Sequence, residues 1–434
     1  MAFESEDIQR RQRRRNHKLK KARARRSNRR RQTTIGLIAA GAILLLILLV
    51  VLLVMLGKKE PTAPESSDPT AITAPSDPTE PQTVINLAFG GDLNVTNQVI
   101  DAGAGNGGYD YTNIFKDVAP ILAGADASVI NFEGNLYGAP YGTQSSSAPQ
   151  ELMDALAAAG VDLIQMANTC TINNGILGLQ QTLKGIQQAG MGSIGAFASN
   201  EEFENSRGFT LRQINGVKVA FVAFTKGFKE QDTILTLPSD SKNLVNLLYK
   251  DYTSTYSEVD TERITKILEA VELEKPDITI ALLHWGSAYN SIVSDSQKQI
   301  VNLMKENGVD AIIGTHSHYV QDVEYNTEDG SFIAYSLGDL LGDANKKYTD
   351  ASVIVQLEIT KDNVTGKTTI TDYEYTPVYI ATPDKDGVAD TRLLRIREAM
   401  AAYEANNVHK VSDETYAAMQ AAISRIQSRL EPEA

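Results

Sequence analysis

Cysteine is almost absent from this chain: Cys170 stands alone among 434 residues, which excludes an intramolecular disulfide framework. A fold held by its apolar core rather than by crosslinks is what remains. Tryptophan is equally scarce, with Trp285 alone, and the histidines number five: His17, His284, His316, His318 and His409. Acidic residues are sparse at the start. Glu4, Glu6 and Asp7 stand against fourteen Lys or Arg between Arg10 and Arg31, which leaves the first 31 residues near +11. With a formal total of −13, everything after them carries −24.

Charge is missing altogether from residues 35–56, a run of 22 dominated by Leu, Ile, Val and Ala. As a helix it spans roughly the 30 Å of a bilayer core. The run is longer than a signal-peptide core, Gly57-Lys58-Lys59-Glu60 makes a poor cleavage site, and no cysteine offers lipid attachment. The excess of cations before the run predicts a single-pass membrane anchor, with its N-terminus cytoplasmic and its C-terminal domain extracellular. The basic tail reads as a topology signal resting on anionic headgroups rather than as a nucleic-acid patch, so no nucleic-acid partner is expected. Prolines at 61, 64, 69, 75, 78 and 81, with almost no large apolar residue between them, predict a disordered tether. The expected organisation is a basic tail (1–33), a transmembrane helix (34–57), a linker (58–83), an α/β domain (84–382) and a helical C-terminal segment (383–434).

Within the domain, apolar runs alternate with helical periodicity. Strands are expected at 85–89, 127–132, 162–166 and 193–196, with helices at 112–122, 150–159 and 176–189 between them. A hairpin turns at Asn215-Gly216, and residues 226–260 form a polar insertion without a clear pattern. The alternation resumes with a helix at 261–273, a strand at 278–283, a helix at 294–307 and a strand at 311–314. Further strands at 320–325, 332–336, 352–359 and 368–378 are expected to be antiparallel, and residues 391–430 read as two amphipathic helices. The alternation predicts a sheet covered by helices on both faces.

The chemistry gathers at the carboxyl ends of these strands, where α/β sheets bind ligands. Gly90-Gly91-Asp92 and Asn131-Phe132-Glu133 each place a carboxylate there. Ala167-Asn168-Thr169-Cys170 offers an amide and a thiol, and later strands deliver His284, then His316 and His318. Taken singly, such a histidine more often caps a strand; three at successive strand ends, with two acids, suit a divalent transition metal or a two-metal centre. Cys170 is a thiolate candidate if a neighbouring cation lowers its pKa, and otherwise a small buried residue. Trp285 either lines the cleft or packs in the core.

The ordered motifs Gly-Asp, Asn-Phe-Glu, His284-Trp285-Gly286, Gly314-Thr315-His316-Ser317-His318 and Tyr335-Ser336-Leu337-Gly338-Asp339 resemble those of the CapA-type poly-γ-glutamate capsule synthesis family. That family is similar to calcineurin-like metallophosphoesterases, and the resemblance implies their four-layer αββα sandwich. It implies metal-side positions at Asp92, Glu133, His284, His316 and His318, one or two ions of Mn, Zn or Fe, and catalytic candidates at Asn168, Cys170 and Trp285. The implied partners are an anionic envelope polymer such as poly-γ-glutamate, the membrane, and a membrane synthase. The sequence departs from the family where Thr169 and Cys170 replace an Asn and a His, Asn173 replaces an Asp, and Asp339 replaces an Asn. Three functions therefore stand side by side: a metal-dependent hydrolase or transferase, a metal-retaining relative that binds polymer or scaffolds a synthase without turnover, and a spacer with a vestigial cleft. An envelope-polymer role is the expectation common to the first two.

Overall fold

The structure is a computed structural model that describes residues 81–431 except 106 and 231. The basic tail, the expected membrane span and all of the expected linker except residues 81–83 lie outside the described residues. Among the described residues no helix is long and apolar enough to cross a membrane.

Two sheets form a mixed α/β sandwich. The strands that matter are β1 (Gln82–Asn94), β2 (Ala127–Glu133), β3 (Leu163–Gln165), β4 (Gly192–Ile194), β5 (Thr210–Ile214), β6 (Val217–Thr225), β7 (Ile278–His284), β8 (Ala311–Thr315), β9 (Val323–Asn326), β10 (Ser331–Ala334), β11 (Asp339–Leu341), β12 (Ala351–Asp362), β13 (Thr368–Ala381) and β14 (Arg392–Arg395). The first sheet runs β14-β13-β12-β1-β2-β3-β4, with β11 pairing beside the end of β1. The second runs β9-β10-β8-β7-β6-β5. The predicted hairpin is β5–β6, closed at Asn215-Gly216 with both residues at positive φ (44° and 90°), the geometry an Asn-Gly turn supplies at little cost. The strand expected at 332–336 differs from its reading: β10 is antiparallel to β9 but parallel to β8, so it extends the parallel part of the sheet.

Strand parity decides what each sheet buries. In β7, Ile278, Ile280 and Leu282 enter the large core shared with β1, β2 and β12. Their neighbours Ala281 and Leu283 enter a second core with helices α1 (Thr261–Leu273) and α2 (Asp295–Glu306). Those helices supply Ile264, Ile267, Leu268 and Val271, then Ile300, Val301 and Met304, at helical spacing. Helix α2 begins where its sequence dictates, because Ser294 and Gln297 form a reciprocal capping box. The C-terminal helices α3 (Ile396–Ala405) and α4 (Asp413–Leu430) are not an appendage: Ile396, Met419, Ala422 and Ile426 belong to the same large core.

The insertion at 226–260 becomes intelligible only in three dimensions. Leu244 O accepts from Phe197 N, and Asn246 N donates to Gly195 O, both just past β4. Asn246 O and Leu248 N bond Thr225 at the end of β6. The insertion therefore laces the strand ends of one sheet to those of the other.

Candidate metal centre

Two glycines let the strand ends converge. A Cβ on Gly91 would meet Gly338 O at 1.9 Å, and one on Gly314 would meet Tyr335 O at 2.0 Å. With no side chain there, Asp92 N donates to Gly338 O at 2.9 Å, and the loop before β11 lies against the end of β1. Asp92 and Asp339 then stand in register.

The structure brings the five predicted metal-side residues together and adds a sixth, Asp339. Ligand atoms of Glu133, His316 and His318 lie within 4.8 Å of one another, as do those of Asp92, Glu133 and His284, and those of Asp92, His318 and Asp339. All six residues are buried. The acids come from the first sheet, at the ends of β1, β2 and β11. The imidazoles come from the second, at the end of β7 and on the turn beyond β8. That turn is unusual: His316 and His318 have φ of 86° and 60°, a left-handed backbone that side-chain-bearing residues rarely adopt. Strain of this kind is typical of functional sites.

Hydrogen bonds fix most of the cluster. Asp92 accepts from Asn131 Nδ2 at 2.6 Å and from the backbone N–H of His316 at 2.9 Å. The His284 ring lies 3.0 Å from Thr315 Oγ1 through Nδ1 and 3.2 Å from Thr169 Oγ1 through Nε2. His318 Nδ1 is 2.8 Å from Asp339 Oδ1, which also accepts from Asn94 Nδ2 at 2.8 Å. Two buried side-chain atoms of these six residues have no hydrogen-bond partner: Glu133 Oε1 and His316 Nδ1. Glu133 Oε1 lies 3.4 Å from His284 Nε2 without a hydrogen bond. A buried lone pair without a donor is costly, and a cation would satisfy both. Mixed carboxylate and imidazole donors suit a divalent transition metal, so the residues present fit the ion the sequence implied.

Burial governs the protonation of the metal-free cluster. It lifts Asp92 to about 6, helped by Asp339 and opposed by His318. It lifts Glu133 well above the usual carboxylate range, with Asp92 adding to the effect. Burial also holds His284 and His316 well below the usual imidazole value, each depressed further by neighbouring cations. His318 goes the other way. Burial disfavours its charge, but the Asp339 carboxylate, with Glu133 and Asp92 behind it, outweighs that and raises its pKa well above normal.

The three residues singled out for catalysis fare differently. Asn168 is buried, and its amide donates to Asn131 Oδ1 and Phe132 O, so it orients the amide that bonds Asp92. Cys170 is half-buried, with Sγ 3.9 Å from Glu133 Oε2. Burial, then the Glu133 charge, push its thiol well above the ordinary value in the metal-free cluster, the direction opposite to an activated thiolate. Trp285 is a correction too. It is fully buried in the helix-side core, donates Nε1–H to Tyr335 O at 2.9 Å, and stacks on Tyr335. Parity carried the signal: the alternation that aims His284 inward sends Trp285 to the opposite face.

Sequence reasoning also passed over Asn131 and Thr315, each inside a motif already singled out, and Asn94, two residues beyond Asp92. A cavity of about 270 Å3 opens beside the cluster, lined in part by Glu133, Cys170, His318 and Asp339 and rimmed by Lys229, Tyr289 and Lys346. A larger cleft of about 710 Å3 lies elsewhere, between Gln180 and Glu274, and holds none of the cluster residues.

Over residues 86–344 the sequence matches the family described as bacterial capsule synthesis protein PGA_cap. The chain belongs to that family. The PGA_cap chain is 27% identical over 331 residues to the PGA biosynthesis protein CapA of Bacillus subtilis (strain 168), covering 72% of this chain and 77% of that one. It is 27% identical over 273 residues to the capsule biosynthesis protein CapA of Bacillus anthracis, covering 60% of each. Solved structures similar to this PGA_cap protein include the calcineurin-like phosphoesterase YfkN of Bacillus subtilis, at 13% identity and a TM-score of 0.39, covering 80% of this chain and 98% of that one. A phosphatase from Mycoplasma pneumoniae superposes at 16% identity and a TM-score of 0.41, covering 70% of this chain and 96% of that one. Superpositions this loose leave the chemistry to be read from the residues themselves.

Proposed function

We propose that this PGA_cap protein acts at the outer face of the membrane in the synthesis or attachment of an anionic envelope polymer, through a divalent metal held between its two sheets. The observation that carries the reading is the pair of buried, unpartnered atoms, Glu133 Oε1 and His316 Nδ1, inside a cluster of three acids and three imidazoles. A bound ion of the Mn, Zn or Fe kind would supply Lewis-acid polarisation of an amide or ester and offset the clustered negative charge. The chain's own residues do the rest. Asn131, Thr315 and Asn94 fix the rotamers of Asp92, His284 and Asp339, and the Asp339–His318 pair holds a proton at Nδ1 at the mouth of the cavity. The uncharged run at 35–56 and the Pro-rich stretch after it support tethering to the membrane, and the αββα layering of metallophosphoesterases is the architecture we assign to the sandwich.

One observation favours a second reading, a metal-retaining polymer binder or synthase scaffold without turnover. Where the family carries an Asn and a His, this chain has Thr169, which touches His284 Nε2, and Cys170, whose thiol pKa burial raises, so the family's imidazole is replaced by a weaker acid and base. Elemental analysis of the full chain and of a His284/His316/His318 triple-alanine variant tests the metal. About one or two ions per chain, lost in the variant, support the site; no metal in either after reconstitution with Mn, Zn and Fe sinks it. Turnover of amide and phosphoester polymers by the loaded chain then separates the enzyme from the binder.

A further inference from the structure

A line of aromatic rings leads out of the cluster across the surface. Tyr289 stacks on His318 with centroids 4.8 Å apart, Tyr319 meets Tyr289 edge-on at 6.2 Å, and Tyr348 meets Tyr319 at 5.8 Å. Tyr289 and Tyr348 are 45% and 41% exposed, too much for core tyrosines. Both are also held at positive φ, 57° and 66°, as His316 and His318 are. Bulky residues rarely take that conformation, and here four of them follow one path.

Cations cover the line. Lys346 lies over the Tyr289 ring at 4.8 Å and donates to its hydroxyl at 2.6 Å. Lys347 and Arg425 each lie 4.5 Å from the centre of the Tyr348 ring. Arg425 also stands 3.9 Å from Asp350, while Lys347 has no acidic partner among the described residues. An ammonium or guanidinium over a ring face is steadied without being neutralised. The rings thus hold three cations in place on a protein whose charge after the basic tail is −24.

We infer that this cation-capped tyrosine line is a docking track for a carboxylate-bearing polypeptide, guiding it toward the acid–imidazole cluster. The inference rests on the polymer role proposed above and adds the surface that recognises the polymer. An acidic molecule is repelled by the protein as a whole and finds a local positive stripe only where such cations gather. An acidic glycan is the competing ligand, but sugars bind aromatic platforms by stacking on a bare face. Here each exposed ring already carries two partners: His318 and Lys346 on Tyr289, Lys347 and Arg425 on Tyr348.

The test is binding of the full chain to labelled polyglutamate and to polygalacturonate across a range of salt. The double charge reversal K347E/R425E should weaken polyglutamate binding about tenfold or more and flatten its salt dependence, with metal content unchanged. Tyr348→Leu, which keeps both charges and removes the ring that steadies them, should weaken it less. Unaltered affinity in K347E/R425E overturns the track, as does tighter binding of polygalacturonate than of polyglutamate. Failure of the metal site itself would show separately, as wild-type chain without bound ion.

Discussion

His318 Nδ1 and Asp339 Oδ1 stand 2.8 Å apart although they come from opposite sheets, and each is almost fully buried. The pair keeps His318 protonated where its two neighbours His284 and His316 are neutral. One carboxylate thus sets His318 apart from the two imidazoles that burial keeps neutral. Asp339→Asn should return His318 toward the ordinary imidazole range, about 6.5, in metal-free protein. Ring-proton NMR titration reads this directly; a His318 pKa unmoved by the substitution would mean that Asp92 and Glu133 alone sustain the charge. Metal affinity should fall by about 10–100-fold in the same variant, as for other carboxylates that orient a ligand histidine.

The same pair predicts how stability depends on pH. The folded pKa of His318 is raised above its unfolded value, so its contribution is fully present below about 6.5 and is lost as pH rises through the folded pKa. The contributions of Asp92, lifted to about 6, and of the two depressed histidines are complete by then. Glu133, also raised, can only add to the loss. In chelator, the melting temperature should therefore drop as pH rises above about 6.5, and Asp339→Asn should flatten the drop. Saturating divalent metal should remove it, because the ion takes the place of the protons.

Trp285→Phe separates packing from chemistry. It leaves Tyr335 O without its donor and empties part of the helix-side core. A loss of about 1–3 kcal/mol in denaturant unfolding is expected, with metal content and polymer binding intact. A metal-depleted variant that unfolds at the wild-type midpoint would place the indole at the site after all.

Cys170→Ala should retain metal and the wild-type fold. Because the thiol is held protonated, labelling of the single cysteine by a thiol reagent near pH 7 should be slower than that of free cysteine. Faster labelling would restore the thiolate reading.

The strand ends were legible because strands buried on both faces read as short apolar runs, and the residue that ends each run is visible in the sequence. Asp92, Glu133, His284, His316 and His318 were found in that way. Asp339 was harder. Its strand is three residues long and owes its place to parallel pairing with the end of β1, a contact no local pattern encodes. The insertion at 226–260 was illegible for a related reason, since its local bonds form only a short hairpin and turns while the bonds that fix its place go to Gly195, Phe197 and Thr225, far off in the sequence. Helix 112–122 was read as one element and is two short ones, Thr112–Phe115 and Ala119–Leu122, separated at residues 116–118, with Pro120 in the first turn of the second. Proline has no N–H to donate to the carbonyl four residues back, so it interrupts a continuous ladder yet fits the first turn of a new helix.

The segregation of acids onto one sheet and imidazoles onto the other has an outcome for assembly. Asp92 and Glu133 are made first, the histidines much later, and Asp339 last of the six. Neither sheet alone carries more than half of the six residues, so the full donor set exists only once both sheets have closed on each other. An ion held by all six residues would therefore certify that both halves have been made and have closed upon each other.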